Sequence, residues 1–264
     1  MSILTEVSKI KEFFSDHLDE FVIIGGQALI FSAKQNFFEG VRATKDFDIL
    51  IKDNVSSGFY EKLRSLCSEA GFYRKFKAYL SKDGKNCFFR FSEPNDSDYP
   101  LILEFFCYNN SPSDTYWSSI PEHNHMKNIC VDDGVVTSIA GLLIDKDLSS
   151  FIIRNIHISD SGIRYLSGIG LICLKSLAWF SNKNRRDNGE IINSIYIDKH
   201  KEDIFTVLAF TSKEVLASFL KSDDYELFKK EINNFFKENE KDLTIKIDQE
   251  ILIALKGLQA LDED

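Results

Sequence analysis

Two short apolar runs, separated by a helical segment, stand out between residues 21 and 51. The first run, Phe21–Ile24, has the length of one buried strand. Gly25 and Gly26 interrupt it, and a helical pattern follows over residues 27–33. A second apolar run closes residues 46–51, which read Asp-Phe-Asp-Ile-Leu-Ile. The pattern therefore predicts a strand, a glycine turn, a helix and a second strand in immediate succession.

Further elements extend this unit into a sheet with flanking helices. An apolar stripe on residues 2–18 predicts a helix, and Ser56 or Ser57 is placed to cap another helix that reaches about Ala70. Strands are predicted over residues 72–80, 86–92 and 101–107, with a hairpin turn at 82–85. The apolar runs 135–144 and 151–158 predict further strands or a hairpin.

The pattern changes near residue 160 and is helical from there to the end. Helices are predicted over residues 167–182, 198–209, 212–221, 223–239 and 247–262, with Asp248 as a cap for the last. The predicted class is α/β (α+β), with a mixed sheet and flanking helices. We expect residues 1–160 to form the sheet domain and residues 161–264 to form a helical domain.

The paired aspartates and glycines are the first candidates for chemistry. Residues two apart in a strand share a face, so Asp46 and Asp48 are expected side by side. Such carboxylates repel unless a cation separates them, and their hard oxygens suit Mg²⁺ or Mn²⁺. A turn formed by Gly25 and Gly26 before a helix exposes backbone N–H groups to an anion such as a triphosphate. Each feature alone is common, but together they indicate a nucleotide site.

Two charged residues stand alone in apolar segments. Glu104 is the one charge within residues 101–107, so it needs a cation, a metal ion or a place at a sheet edge facing water. Lys175 lies in the apolar helix predicted over 167–182. Either its ammonium group reaches the surface along the helix, or it serves the nucleotide site.

The segments 25–29 (GGQAL) and 42–48 (RATKDFD) resemble the nucleotidyltransferase fold of the DNA polymerase β superfamily. More narrowly, they resemble its AbiEii-like branch, the toxins of type IV toxin–antitoxin systems. The resemblance implies metal-dependent transfer of an NMP group from an NTP to an acceptor hydroxyl, on RNA such as tRNA or on another molecule. It also implies a cognate antitoxin. Gly26 stands where many relatives have serine, which leaves the backbone to bind phosphate.

The resemblance also implies roles for individual residues. Asp46 and Asp48 would hold one metal ion and share a second with Glu104, the third carboxylate from a neighbouring strand. The helical domain would close the nucleotide cleft, with Lys175 neutralising the leaving pyrophosphate. The implied nucleotide-binding residues are Gly25, Gly26, Gln27, Arg42, Thr44 and Lys175.

The last motif of the family is matched less closely, by Glu202-Asp203. The family pattern has an acid five residues before this pair and another three after it. Here Asp198 falls one position from the first and Thr206 occupies the second. Asp203 therefore either takes the family's role or orients Lys199 or His200. His200 is expected to be a basic surface residue that contacts nucleic acid or phosphate.

The net charge of the chain bears on which class of acceptor molecule is expected. A net charge of −9 and a pI near 5.2 argue against a broad basic surface that coats nucleic acid, but they leave room for a local basic groove. The densest basic cluster is Lys183, Arg185 and Arg186, expected in a polar loop that is either solvated or an RNA contact. The acidic balance favours a cationic, aminoglycoside-like acceptor as an alternative. A protein hydroxyl and a non-catalytic nucleotide-binding module are further alternatives.

Cysteine usage and hydropathy predict a cytoplasmic protein. The five cysteines lack any C-x-x-C pair, and we expect them to be buried free thiols in a reducing compartment. The N-terminal segment reads as an amphipathic helix rather than a signal peptide, and no apolar run is long enough to span a membrane. His123 and His125 flank one residue in an expected solvated loop. The cysteines are Cys67, Cys87, Cys107, Cys130 and Cys173.

Overall fold

The chain divides into two compact units, each with its own packing. The computed structural model describes residues 3–42, 44, 46–52, 55–66, 73–80, 86–108, 129–130 and 146–246. Unit 1 comprises Met1–Phe31, Arg42–Val136 and Leu143–Leu166. Unit 2 comprises Ser32–Val41, Thr137–Leu142 and Ser167–Asp264. The class is mixed α/β, as predicted.

Unit 1 is built on a mixed sheet, which has eight strands in the described part of the chain. The strands are β1 Phe21–Ile24, β2 Asp46–Ile51, β3 Tyr73–Leu80, β4 Asn86–Pro94, β5 Ile102–Tyr108, β6 Ile129–Cys130, β7 Ile156–Ile158 and β8 Arg164–Leu166. Their order is β6-β3-β4-β5-β2-β1-β8-β7. The pairs β2–β5, β1–β8 and β3–β6 are parallel, and the others are antiparallel. Strand β5 therefore lies inside the sheet and not at its edge.

Aromatic side chains attach the first helices to this sheet. Among the described residues, the helices before residue 155 are α1 Ile3–Phe13, a 3₁₀ turn Ser15–His17, α2 Gly25–Gln35, α3 Ser57–Ser65 and α4 Lys146–Arg154. The ring of Phe14, just after α1, lies 5.3 Å from Phe59 of α3, 5.7 Å from Phe21 of β1 and 5.8 Å from Phe105 of β5. All four side chains are fully buried. They form the apolar core between the sheet and the helices α1 and α3.

The apolar run at 151–158 is not a continuous strand, so that prediction was wrong for its first half. Helix α4 ends at Arg154, and only Ile156–Ile158 is extended. Leu148, Phe151 and Ile152 are buried at helical spacing on α4. A short apolar run fits a buried helix face as well as a strand, and periodicity alone does not separate the two.

Unit 2 is helical in its described residues from Gly168 onward. Its helices are α5 Gly168–Asp187, α6 Ser194–Phe210, α7 Lys213–Phe219, α8 Asp223–Glu238 and α9 Glu240–Lys246. The first four begin at capping side chains that accept a backbone hydrogen bond: Ser167, Asn193, Ser212 and Ser222. Trp179 of α5 and Phe205 of α6 lie 5.1 Å and 5.9 Å from the ring of Phe235 on α8. These three helices therefore share one apolar core.

Helix α5 continues through the basic cluster that the sequence placed in a loop. Lys183 and Arg185 lie in its last turns, and the helix ends at Asp187, before Gly189 with φ +93°. Cations at a helix C-terminus interact favourably with its dipole, and glycine adopts the left-handed conformation that stops a helix. The expected loop was wrong because polarity was read as a break in the helix.

Several predictions fall on residues outside those described. They concern the turn at 82–85, His123 and His125, the run 135–144, and the helix 247–262 with Asp248. Among the cysteines, Cys173 is described as a buried free thiol, and burial raises the pKa of that thiol well above its usual value. No described helix is both long and apolar enough to cross a bilayer.

Candidate functional site

A row of paired positions crosses the sheet of unit 1 and carries the predicted carboxylates. Glu104 on β5 is in register with Asp48 on β2, and Asp48 is in register with Ile24 at the end of β1. On the other side of Glu104, its partner is Arg90 on β4. We call Arg90, Glu104, Asp48 and Ile24 the carboxylate row. Paired residues share one face of a sheet, so the charged groups of the row are neighbours.

Asp48 and Glu104 form a close acidic pair. Asp48 is 7% exposed and Glu104 is 2% exposed, and the two residues are register partners on adjacent strands. Burial and the charge of Asp48 raise the pKa of Glu104 well above its ordinary value, and Arg90 only partly offsets this rise. The half-buried Asp46, two residues before Asp48, contributes further negative charge. Glu104 therefore lies beside both aspartates, and its alternative position, a solvated sheet edge, is wrong.

Arg90 is the residue of the row that the sequence reasoning missed. Its Nη1 lies 3.1 Å from Oε1 of Glu104, whose side chain is 3% exposed, whereas the Arg90 side chain is 38% exposed. The sequence did contain a signal, because Arg90 is the one charged residue in the apolar centre of β4, Asn-Cys-Phe-Phe-Arg-Phe. Its partner could not be identified without the register of β4 against β5.

Gly25 brings the N-terminus of α2 directly against Asp48. The helix begins at Gly25, immediately after β1, with φ +67°. A Cβ atom at this position would lie 1.9 Å from Oδ2 of Asp48. Glycine is therefore required twice, for its backbone conformation and for the space that the carboxylate occupies. The first backbone N–H groups of a helix are free to bind an anion, and here they lie beside a candidate metal ligand.

Gly26 and Thr44 form a second close contact. A Cβ atom on Gly26 would lie 2.9 Å from Cβ of Thr44, so a serine at this position would not fit without a shift. Thr44 is 9% exposed, and its Oγ1 accepts the backbone N–H of Asp46 at 3.4 Å. Thr44 thus packs on the glycine turn and braces the start of β2. Arg42, two residues earlier, is exposed.

Gln27 has the most buried side chain among the predicted nucleotide-binding residues Gln27, Thr44 and Lys175. Its side chain is 0% exposed in the first turn of α2. Neither its amide oxygen nor its amide nitrogen has a hydrogen-bond partner among the described residues. An unsatisfied buried amide costs roughly 1–3 kcal/mol. Gln27 therefore combines a donor and an acceptor at the helix end that faces Asp48.

In unit 2, Lys175 and Asp203 form a buried ion pair. Nζ of Lys175 on α5 lies 2.7 Å from Oδ2 of Asp203 on α6, and each side chain is 2% exposed. The alternative in which Lys175 reaches the surface is therefore wrong. Sequence reasoning considered both residues but did not pair them. The signal was the isolated charge of Lys175 on an apolar helix face, whereas Asp203 follows a run of charged residues that hides it.

The accessory residues of α6 differ in burial. His200 is 2% exposed, so it is not the surface residue that we expected. It lies one turn before Asp203 on the buried side of α6. Lys199 is half-buried. A role for His200 in contacting nucleic acid would require the helix packing to open.

The basic cluster on α5 is largely neutralised by neighbouring acids. Lys183 pairs with Asp187 at 2.8 Å and with Glu238 at 3.2 Å, and Arg185 pairs with Glu190 at 2.6 Å. The hydrogen bond with Asp187 is the main cause that raises the pKa of Lys183. This cluster therefore offers little net positive charge to RNA.

The carboxylate oxygens of the site are of the type that binds a hard divalent cation, but the closest contact between them in the structure is the pair formed by Asp48 and Glu104. Carboxylate oxygens are the ligands that Mg²⁺ and Mn²⁺ prefer. Within the described ranges, no three acidic, histidine or cysteine side chains are grouped as a metal site.

No family model, curated protein or solved structure matches the chain. Its function must be argued from these residues.

Proposed function

We propose that this protein is a metal-dependent nucleotidyltransferase on a polymerase-β-like sheet. The observation that carries the proposal is the junction of Gly25 with Asp48, which brings a helix N-terminus against the pair formed by Asp48 and Glu104. A triphosphate needs N–H donors for its phosphates and cations for its charge. The helix end supplies the first, and the carboxylates would hold the second.

The residues of unit 1 divide the reaction between them. Asp46, Asp48 and Glu104 would hold divalent cations, which when bound neutralise the triphosphate and acidify the acceptor hydroxyl. The backbone at Gly25 and the amide of Gln27 bind phosphate oxygens. The acceptor oxygen forms a bond to the α-phosphorus, and the bond from that phosphorus to the bridging oxygen of the β-phosphate breaks. Pyrophosphate leaves, and the hydroxyl proton passes to a carboxylate or to water.

Roles outside unit 1 rest on the resemblance alone. They are the action of Lys175 on the pyrophosphate, the RNA or tRNA acceptor, the toxin activity and the cognate antitoxin. Lys175 is held by Asp203, which occupies one of the three donors of its ammonium group. Its role in the reaction stays a prediction.

The test is transfer of label from each α-labelled NTP, with Mg²⁺ or Mn²⁺, to total RNA, to aminoglycosides and to protein. Asp46→Ala removes a half-buried candidate ligand and is expected to slow transfer on the order of a thousandfold or more. Asp160→Ala is the matched control, because Asp160 is an exposed acid of the same unit and its loss changes the charge equally. Near-normal transfer by a folded Asp46→Ala variant would overturn the proposal.

A non-catalytic nucleotide-binding module is the second candidate. It is favoured by the ion pair of Glu104 with Arg90 at 3.1 Å, because a carboxylate that is held by a guanidinium group is less available to a metal ion. Calorimetric titration with Mg²⁺ and NTP separates the two candidates. Binding without transfer to any of the acceptors would favour the module, whereas metal-dependent labelling of one acceptor would exclude it.

A further inference from the structure

Three exposed apolar side chains lie close together where α5 is connected to α6. Ile191 is fully exposed, Ile195 is 66% exposed and Tyr196 is 38% exposed. They fall within residues 191–196, and the last two lie in the first turn of α6. We call Ile191, Ile195 and Tyr196 the apolar patch. Single exposed apolar residues are common on protein surfaces, whereas several adjacent ones mark a surface that binds another molecule.

Hydrogen bonds fix the backbone on both sides of the patch. Gly189, at φ +93°, lies just after α5, and its backbone N–H donates to a carbonyl group in the last turn of that helix at 2.9 Å. The side chain of Asn193 accepts the backbone N–H of Ile195 at 3.0 Å and caps α6. Between these two caps, Ile192 is buried and its neighbour Ile191 is exposed. The exposure of Ile191 is therefore a property of a hydrogen-bonded connection whose next residue is anchored inside.

Charged side chains of both signs border the patch on the side of α5. Residues 183–190 carry three basic and two acidic side chains, whereas the whole chain has a net charge of −9. Glu190 pairs with Arg185 at 2.6 Å. The side chains of Arg186 and Asp187 are 42% and 50% exposed. The surface beside the patch is therefore close to neutral and presents groups of both signs.

This mixture of charges distinguishes between classes of partner. A strongly anionic partner is repelled by Asp187 and Glu190, and a strongly cationic partner is repelled by Arg186. Two copies of the chain repel one another through their net negative charge, and this repulsion is weakest where the local charge is close to zero. A second copy related by a two-fold axis presents the same mixture, so groups of opposite sign can face one another across the axis. The charges therefore fit a second copy of this chain better than a partner of one sign.

We propose that the apolar patch is the contact surface of a symmetric dimer of this chain. In such a dimer, the patch of one copy covers the same patch of the other, and Ile191 and Ile195 lose their contact with water. The charged end of α5 forms the rim, which gives the apolar centre and polar border that are common in protein interfaces. The proposal concerns unit 2 alone, and it does not depend on the proposed nucleotidyl transfer.

Sedimentation velocity of the full chain over a series of concentrations measures this association. The wild type is expected to change reversibly from monomer to dimer as its concentration rises. Ile191→Asp should raise the dimer dissociation constant by at least about a hundredfold, because each copy loses one buried isoleucine and brings a carboxylate into the interface. Circular dichroism checks the fold, which a change at a fully exposed side chain should leave intact.

A second variant and a matched control lie in the first turns of two helices of unit 2. Ile195→Asp should also weaken the dimer, and it preserves the fold because an acid in the first turn of α6 interacts favourably with the helix dipole. Val215→Asp is the control, since Val215 is a 50% exposed β-branched residue in the first turn of α7 and the added charge is the same. It should dimerise as the wild type does.

The remaining outcomes would overturn the inference. A wild type that stays monomeric at every concentration has no such interface, and a loss of stability in its Ile191→Asp variant would assign the patch to a contact within the chain. Unchanged dimerisation of Ile191→Asp and Ile195→Asp would place the interface elsewhere. Equal weakening by Val215→Asp would show an effect of charge alone. Growth beyond a dimer would show a head-to-tail contact, because a two-fold contact closes at two copies.

Discussion

Replacing Lys175 by methionine should destabilise unit 2 by about 3–5 kcal/mol, because it leaves Asp203 buried without its cation. The two side chains are 2% exposed and their charged atoms are 2.7 Å apart. At an effective dielectric constant of about 20, unit charges at this distance attract by about 6 kcal/mol. Removing each ion from water costs several kcal/mol, which offsets this attraction. A protein with the intact ion pair is therefore about as stable as one with a well-packed apolar pair at the same two positions. The loss of one partner is therefore far more costly than the loss of both.

Urea unfolding followed by tryptophan fluorescence measures this cost in unit 2 once Trp117, the other tryptophan of the chain, is replaced by phenylalanine in every protein compared. Trp179 lies on the same helix as Lys175, is 4% exposed and packs on Phe235. With an m value of about 3 kcal/mol/M, Lys175→Met should lower the unfolding midpoint by more than about 1 M. Because the chain has two compact units, the fluorescence transition is compared with the circular dichroism transition before a two-state free energy is assigned.

Two further variants decide whether the buried pair is the cause. Lys183→Met removes another ion-paired lysine from α5, but its side chain is 24% exposed and the expected cost is below about 1 kcal/mol. Lys175→Met with Asp203→Leu removes both charges and should recover most of the wild-type midpoint. The reasoning is refuted if Lys175→Met costs no more than Lys183→Met, or if the double variant is as unstable as Lys175→Met.

Two predictions concern unit 1. Gly25→Ala should lower both the unfolding midpoint and NTP affinity, because its Cβ would meet Asp48 Oδ2 at 1.9 Å and φ is +67°. Gly162→Ala is the control, because Gly162 has φ +83° but no atom within 4 Å of the added Cβ. It should lose only the stability that backbone strain costs, about 1–2 kcal/mol. Equal losses of stability in the two variants would show that the contact with Asp48 has no effect. Burial acts to raise the pKa of Glu20, but hydrogen bonds with His17 and Ser56 outweigh it and lower the pKa. The resulting stability is present above the unfolded pKa of about 4.5 and is lost as the pH falls through the folded value. Glu20→Gln should therefore lower the melting temperature at neutral pH and leave it unchanged in strong acid, and a loss that is the same at both pH values would argue against this ion's role.

Local patterning was sufficient for most of the described elements. The strand, glycine and helix succession around Gly25 appears in the structure as β1 and α2, and the spacing of Asp46 and Asp48 puts both on β2. The helices α5 to α8 follow from apolar periodicity and from capping residues that precede each of them. The prediction of secondary structure was wrong at 151–158, where helical and strand periodicities fit the apolar residues equally well. It was also wrong at Lys183, where polar residues were taken as the end of a helix.

Only part of the candidate site could be predicted from the amino-acid sequence. Glu104 and Lys175 were found because each is a lone charge in an apolar segment, and such a charge must acquire a partner on burial. The partner is a property of the fold. Arg90 meets Glu104 because β4 pairs with β5 in one register, and a shift by one residue would turn its side chain to the opposite face.

The sequence by itself determined the class of the fold, the two strands that flank the glycines, and the positions at which isolated charges had to be satisfied. These follow from local periodicity and from the cost of burying a charge. Only the tertiary structure decided that Gly26 must lack a side chain because Thr44 packs on it, that Asp203 neutralises Lys175, and that Arg90 stands beside Glu104. Those contacts join residues 14–28 positions apart, and they are set by strand register and helix packing, which no local pattern encodes.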